Sequence, residues 1–141
     1  MKKNIVIALI AILFHAPIAA QEKLMEKQTK SHPMIGYLVD KMCGERMIMT
    51  DIKKSDAKAA RHTKECALDE ACSAEGYGLV TSGTFYKFDD SGDVKAKEFL
   101  KATKKEHNIK VEVVGTMNDD KLVVESVKEF ITIPTKHLKK K

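Results

Sequence analysis

Residues 77–88 read YGLVTSGTFYKF and residues 109–127 read IKVEVVGTMNDDKLVVESV. Each stretch holds two short runs separated by turn residues, with apolar and polar side chains alternating most cleanly in 109–113. A period of two is the mark of a strand with one face buried. Ser82-Gly83 links the first pair, and Gly83 supplies the positive φ that a tight hairpin favours. On the return run, Phe85 and Lys87 face opposite to Tyr86 and Phe88. Ile109, Val111 and Val113 share one side, and Val114-Gly115-Thr116 is expected to bend their strand. Asn118-Asp119-Asp120 makes a reverse turn into Leu122–Val127, where Leu122, Val124 and Ser126 lie on one face and Val123 and Val127 near the other.

Between the pairs, Asp89-Asp90-Ser91-Gly92 reads as a turn of side chains that bond their own backbone. It is too short for a twelve-residue calcium loop. Asp93 then caps a helix over Val94–Lys105, with Val94, Phe99 and Leu100 apolar and Ala96 and Ala102 beside them. Upstream, Ile35–Asp40 is a first strand, with Tyr37 and Val39 on one face, Leu38 on the other, and Gly36 allowing a bulge or bend. Gly44 suits a left-handed turn after Cys43. Met47–Met49 is a short strand or a core cover. Thr50 or Asp51, then Ser55, can cap a helix over Ala57–Lys64. Cys66–Cys72 continues it as helix or as a broken turn that ends before Gly76. Phe130–Ile133 adds a last β-like run before Pro134. The pattern predicts a mainly β chain with one or two helices, closed as a small OB-like Greek-key barrel. An α+β sandwich is the alternative.

The domain spans 34–133, with 41–75 an excursion that carries the cysteines. In front of it, Lys2 and Lys3, the ten apolar residues Ile5–Phe14 and the small pair Ala19-Ala20 have the order of a cleavable secretory signal over 1–20. The apolar run is too short for a membrane helix, which needs roughly 20 residues, so no stable membrane span is expected after cleavage. Residues 21–33 are a charged, flexible leader, and 134–141 a basic tail. The expected location is the periplasm or the extracellular medium. The formal charge of +5 falls by two with Lys2 and Lys3, and much of the excess sits at Lys136, Lys139, Lys140 and Lys141. Outside that tail the domain is close to neutral, which argues against nucleic acid as a partner, as does export.

Three cysteines, Cys43, Cys66 and Cys72, allow at most one internal disulfide and leave one thiol over. A disulfide from Cys43 to Cys66 or Cys72 would pin the excursion to the first strand. Cys66–Cys72 is reachable only if the helix breaks between them, because positions six apart face different sides of a straight helix. The other chemistry is metal binding. His62 and Cys66, four apart, share a helix face, and with Cys43 and Cys72 they offer one imidazole and three thiolates. That set suits zinc, and Met34, Met42, Met47 or Met49 would extend it toward copper(I). No catalytic signature is present: His62 beside Cys66 lacks an orienting group and an oxyanion site.

The chain resembles a group of small secreted bacterial proteins of unknown function, on the residues Gly36, Asp40, Cys43-Gly44, His62, Cys66 and Cys72. Lys110-Val111, Val113, Gly115, Asp120, Val124 and Ser126 continue the resemblance into an OB-like half. What the resemblance implies is an exported OB-like domain; it lends no catalytic residues. The expected role is therefore a non-enzymatic binding or structural domain for an envelope protein, peptide or other envelope component, with no cofactor. The alternatives are a periplasmic zinc or copper protein and a thiol redox role.

Overall fold

A computed structural model describes residues 31–132; the expected signal, most of the leader and the basic tail lie outside the described residues. The order of elements is β1 (His32–Asp40), α1 (Lys41–Thr50), a 3-10 turn (Ile52–Lys54), α2 (Ser55–Arg61), α3 (Lys64–Leu68) and α4 (Glu70–Ala74). Then come β2 (Tyr77–Thr81), β3 (Thr84–Phe88), α5 (Asp90–Ala102), β4 (Lys110–Asn118) and β5 (Lys121–Glu129). The described residues hold five strands and five helices, consistent with a mainly β or an α+β chain; the helices exceed the one or two expected because the excursion is helical almost throughout. Met47–Met49 belong to α1, not to a strand, and Phe130–Thr132 do not extend the sheet; Ile133 lies outside the described residues.

The strands pair in the order β1-β2-β3-β5-β4, and β4 returns to β1, closing the sheet. All pairings are antiparallel except β3 with β5, which meet only through Lys87↔Lys121 and Phe88↔Leu122. β1 serves two neighbours: His32–Tyr37 lie against β4, and Tyr37–Asp40 against β2. The strand starts ahead of Ile35 because Pro33 needs no donor on the side that lacks a partner. At the handover, a Cβ on Gly36 would sit 2.6 Å from the Val80 carbonyl oxygen, so only glycine lets the strands approach. The pairing of β4 with β5 shifts register between Val114 and Gly115, where Glu125 of β5 is the extra residue. Ser82 and Gly83 both have positive φ (50° and 76°), the turn that matches the twist of a two-residue hairpin.

Inside the closed sheet, Leu38, Tyr77, Leu79, Phe88, Val111, Val113, Leu122 and Val124 meet Ala96 and Leu100 of α5 and Ala67 of α3. The alternate residues Val39 and Val80 form a second core outside the sheet, under Ala59 of α2 and Met47 and Ile48 of α1. β2 is therefore buried on both faces. Gly44 sits within α1 and takes no left-handed turn. Its value is closeness: Cβ atoms on Gly44 or Gly78 would fall 2.5 and 2.4 Å from the Phe85 ring. The helix after β3 is capped by Asp89, not Asp93, and ends at Ala102 rather than Lys105. The Asp89 carboxylate accepts from Gly92 N (3.1 Å) and from Val124 N (2.9 Å), capping α5 and tying it to β5. Asp93 instead accepts from Tyr77 N at 2.7 Å.

Candidate metal centre

Backbone bonds join the two ends of the excursion and tie it to the loop between α5 and β4. Lys41 N donates to Gly76 O, Lys64 N to Glu106 O, and Asn108 N to Ala60 O. Its helices are short because side chains stop and restart them. α2 ends at His62, which is extended (ψ 136°) rather than helical. Thr63 then caps α3 by accepting from Cys66 N, and Asp69 breaks the chain again, capping α4 by accepting from Ala71 N. His62 and Cys66 therefore do not stack on one helix face as the spacing predicts; a bend in the chain brings them together.

Four side chains converge here: Asp40, Cys43, His62 and Cys66 each offer one donor atom, all within 4.8 Å of one another. Asp40 ends β1 and caps α1, its Oδ1 accepting from Cys43 N at 2.9 Å. That places Cys43 in the first turn of α1. His62 comes from the α2–α3 bend and Cys66 from α3. Asp40 is fully buried, Cys43 and His62 nearly so, and Cys66 half-buried. Asp40 is the candidate ligand that sequence reasoning missed. The signal was its spacing: an acid three residues ahead of Cys43 at a strand end has the position of an N-cap.

His62 Nε2 and Asp40 Oδ2 lie 2.9 Å apart, yet neither has a hydrogen-bond partner of acceptable alignment, and His62 Nδ1 has none either. Buried polar atoms without partners are costly. At 2.9 Å the two form a close buried His–Asp pair, and both residues belong to the four-residue group. Tetrahedral zinc with ordinary bond lengths needs its donors about 3.3–3.8 Å apart, so sub-ångström to one-ångström adjustments close the group on an ion.

The electrostatics favour a cation. Burial raises the proton affinity of Asp40, but the adjacent His62 and the bond from Cys43 N–H outweigh it, and the carboxyl lies below its ordinary range. Burial, then the neighbouring Cys43, pushes the Cys66 thiol up to about 12. Arg46 reaches Cys43 Sγ from outside, at 3.6 Å. The centre thus holds a buried carboxylate, an unpartnered imidazole and two sulfurs. Cys72 lies outside this four-residue group but next to Cys66; burial, then Asp40 and Cys43, raises its thiol as well. All three cysteines are free.

Of the methionines, Met34 packs against the inner core and Met47 against the outer one, while Met42 and Met49 are 46% and 85% exposed. Tyr77, buried beside this end of the sheet, has an unpartnered hydroxyl that burial pushes up to about 12. Among the described residues no helix is long and apolar enough to cross a membrane. No family model, curated protein or solved structure matches the chain.

Proposed function

We propose that this chain is an exported zinc-binding domain. In this reading an OB-type barrel carries the ion in the excursion between its first two strands. The β1-β2-β3-β5-β4 order, with α5 between β3 and β4, supports the barrel type. The convergence of Asp40, Cys43, His62 and Cys66 carries the zinc reading. One carboxylate oxygen, one imidazole nitrogen and two thiolates are a borderline donor set that suits zinc; copper(I) would favour sulfur alone. Four protein ligands leave no open position, so the ion's role is to fasten the excursion onto the barrel, not to activate water.

The test is metal analysis and thiol counting on protein isolated from the periplasm or medium without chelators. The expected result is one zinc per chain with all three thiols reduced, lost on His62→Ala. A metal-free chain with a Cys43 disulfide, unable to take up added zinc after reduction, would remove the proposal.

A second reading is a binding domain for an extended peptide of an envelope protein. It is favoured by an open groove of about 460 Å³ lined by Ile48, Met49 and Phe85, with Glu45 and Lys87 beside them. Loss of an envelope crosslink on Met49→Asp, with zinc content unchanged, would support it.

A further inference from the structure

Cys72 is the one thiol that the four-ligand group does not use. It lies beside Cys66, which in turn adjoins Cys43. The break at Asp69 (φ −52°, ψ 141°) turns α4 back from α3, so residues six apart approach each other as they cannot on a straight helix. Cys66 and Cys72 are both only half-buried, whereas Cys43 is 6% exposed. They also stand on two separate five-residue helices joined at that break. A bond between them would link neighbouring turns of the excursion. One from Cys43 would have to pull on α1, whose Gly44 is closely packed against Phe85.

We infer that Cys66 and Cys72 form a disulfide on oxidation and that this bond and the metal are mutually exclusive, making the site a thiol-controlled zinc switch. The inference rests on the zinc reading above. The oxidant is a small disulfide such as oxidised glutathione. The Cys72 thiol loses its proton to solvent and its sulfur attacks the oxidant, forming a mixed disulfide and expelling one thiolate. Cys66, leaving the zinc with its electron pair, attacks Cys72 Sγ and expels the second thiolate. Two electrons pass from the cysteine pair to the oxidant, whose disulfide becomes two thiols. The zinc, left with three ligands, departs.

The experiment loads the full chain with zinc and confirms the loading. It then adds oxidised glutathione while a chromogenic chelator reports free zinc, and the disulfide is mapped by peptide mass spectrometry. Wild type should release its zinc in step with a Cys66–Cys72 bond, leave Cys43 as a free thiol, and reload after reduction. Cys72→Ser should load the same zinc and keep it over the period in which wild type loses it. Release from Cys72→Ser at the wild-type rate, or a bond that maps to Cys43, overturns the inference. A wild-type chain that never loads zinc counts against the metal centre itself and against exclusivity. Mapping of the oxidised metal-free chain still reports which cysteines pair.

Discussion

Replacing Asp40 separates its two jobs. Asp40→Ala removes the α1 cap, worth about 1 kcal/mol. That cap is the acceptor of the buried Cys43 N–H, and a buried donor left without one costs about 1–3 kcal/mol. Metal-free Asp40→Ala should therefore be about 1–3 kcal/mol less stable than wild type. Asp40→Asn keeps the volume and an oxygen for Cys43 N, 2.9 Å away in the parent, so its metal-free cost should stay below about 1 kcal/mol. With free zinc buffered at a hundred times the wild-type Kd, wild type gains about 2.7 kcal/mol from the ion. An amide is a poor zinc ligand, and a hundredfold loss of affinity would erase nearly all of that gain. The assay is urea unfolding of all three proteins, with chelator and with buffered zinc. If Asp40→Asn keeps the full zinc-induced shift, Asp40 is not a ligand. If the two variants are equally stable in chelator, the cap argument fails.

The Asp89 carboxyl is held below its ordinary value: burial raises it, but the bonds from Val124 N, Ser91 and Gly92 N win. Its contribution is present above the unfolded value near 3.8 and lost as pH falls through the lower folded value. Asp89→Asn should flatten the acid limb of a stability–pH profile, and an unaltered limb would discount the cap. Asp93 has the opposite sign, raised chiefly by burial despite the bond from Tyr77 N. Its contribution is present below 3.8 and lost as pH rises through the raised folded value. Asp93→Asn, which keeps an acceptor for Tyr77, should therefore raise the thermal midpoint at neutral pH; a fall would show that the charge is needed. Gly78→Ala drives a methyl to 2.4 Å from the Phe85 ring and should cost about 1–3 kcal/mol. Phe85→Leu should relieve part of that in the double variant, and strict additivity would count against the contact. Because the Cys66 thiol lies at about 12, zinc must expel its proton. Apparent affinity measured by chelator competition should therefore rise with pH and rise less steeply in Cys66→Ser, and equal slopes in the two proteins would take Cys66 out of the ligand set.

The sheet was legible because its signals are local. The 77–88 hairpin carries its turn in two residues, and the 109–113 run alternates without interruption, so β2, β3 and β4 fall close to their expected bounds. The start of α5 was less legible. Asp89-Asp90-Ser91-Gly92 has turn composition, yet the same acids suit a helix N-terminus, where the dipole favours negative charge. Only the bond from Asp89 to Val124 N, 35 residues away, decides between the two. Gly44 and Gly78 share this difficulty: each makes room for Phe85, a contact that sequence separation hides.

The excursion resisted reading for a related reason. α2, α3 and α4 have seven, five and five residues, too few turns for an apolar period to emerge. The chemistry of Cys43, His62 and Cys66 nominated them without any geometry, and the helix face supposed to align His62 with Cys66 does not exist. Their convergence comes from interruptions instead, with Thr63 restarting one helix and Asp69 the next. Asp40 is harder still to see, being one of 20 acidic residues and distinguished only by complete burial at a strand end. A site assembled from a strand terminus, a helix first turn, a bend and a five-residue helix has no linear signature. A backbone bond from Lys41 to Gly76 joins the two ends of the excursion, and one from Lys64 to Glu106 ties it to the loop before β4. Barrel and candidate metal centre would thus be interdependent: the fold gathers the four side chains, and an ion among them would lock the excursion onto the barrel.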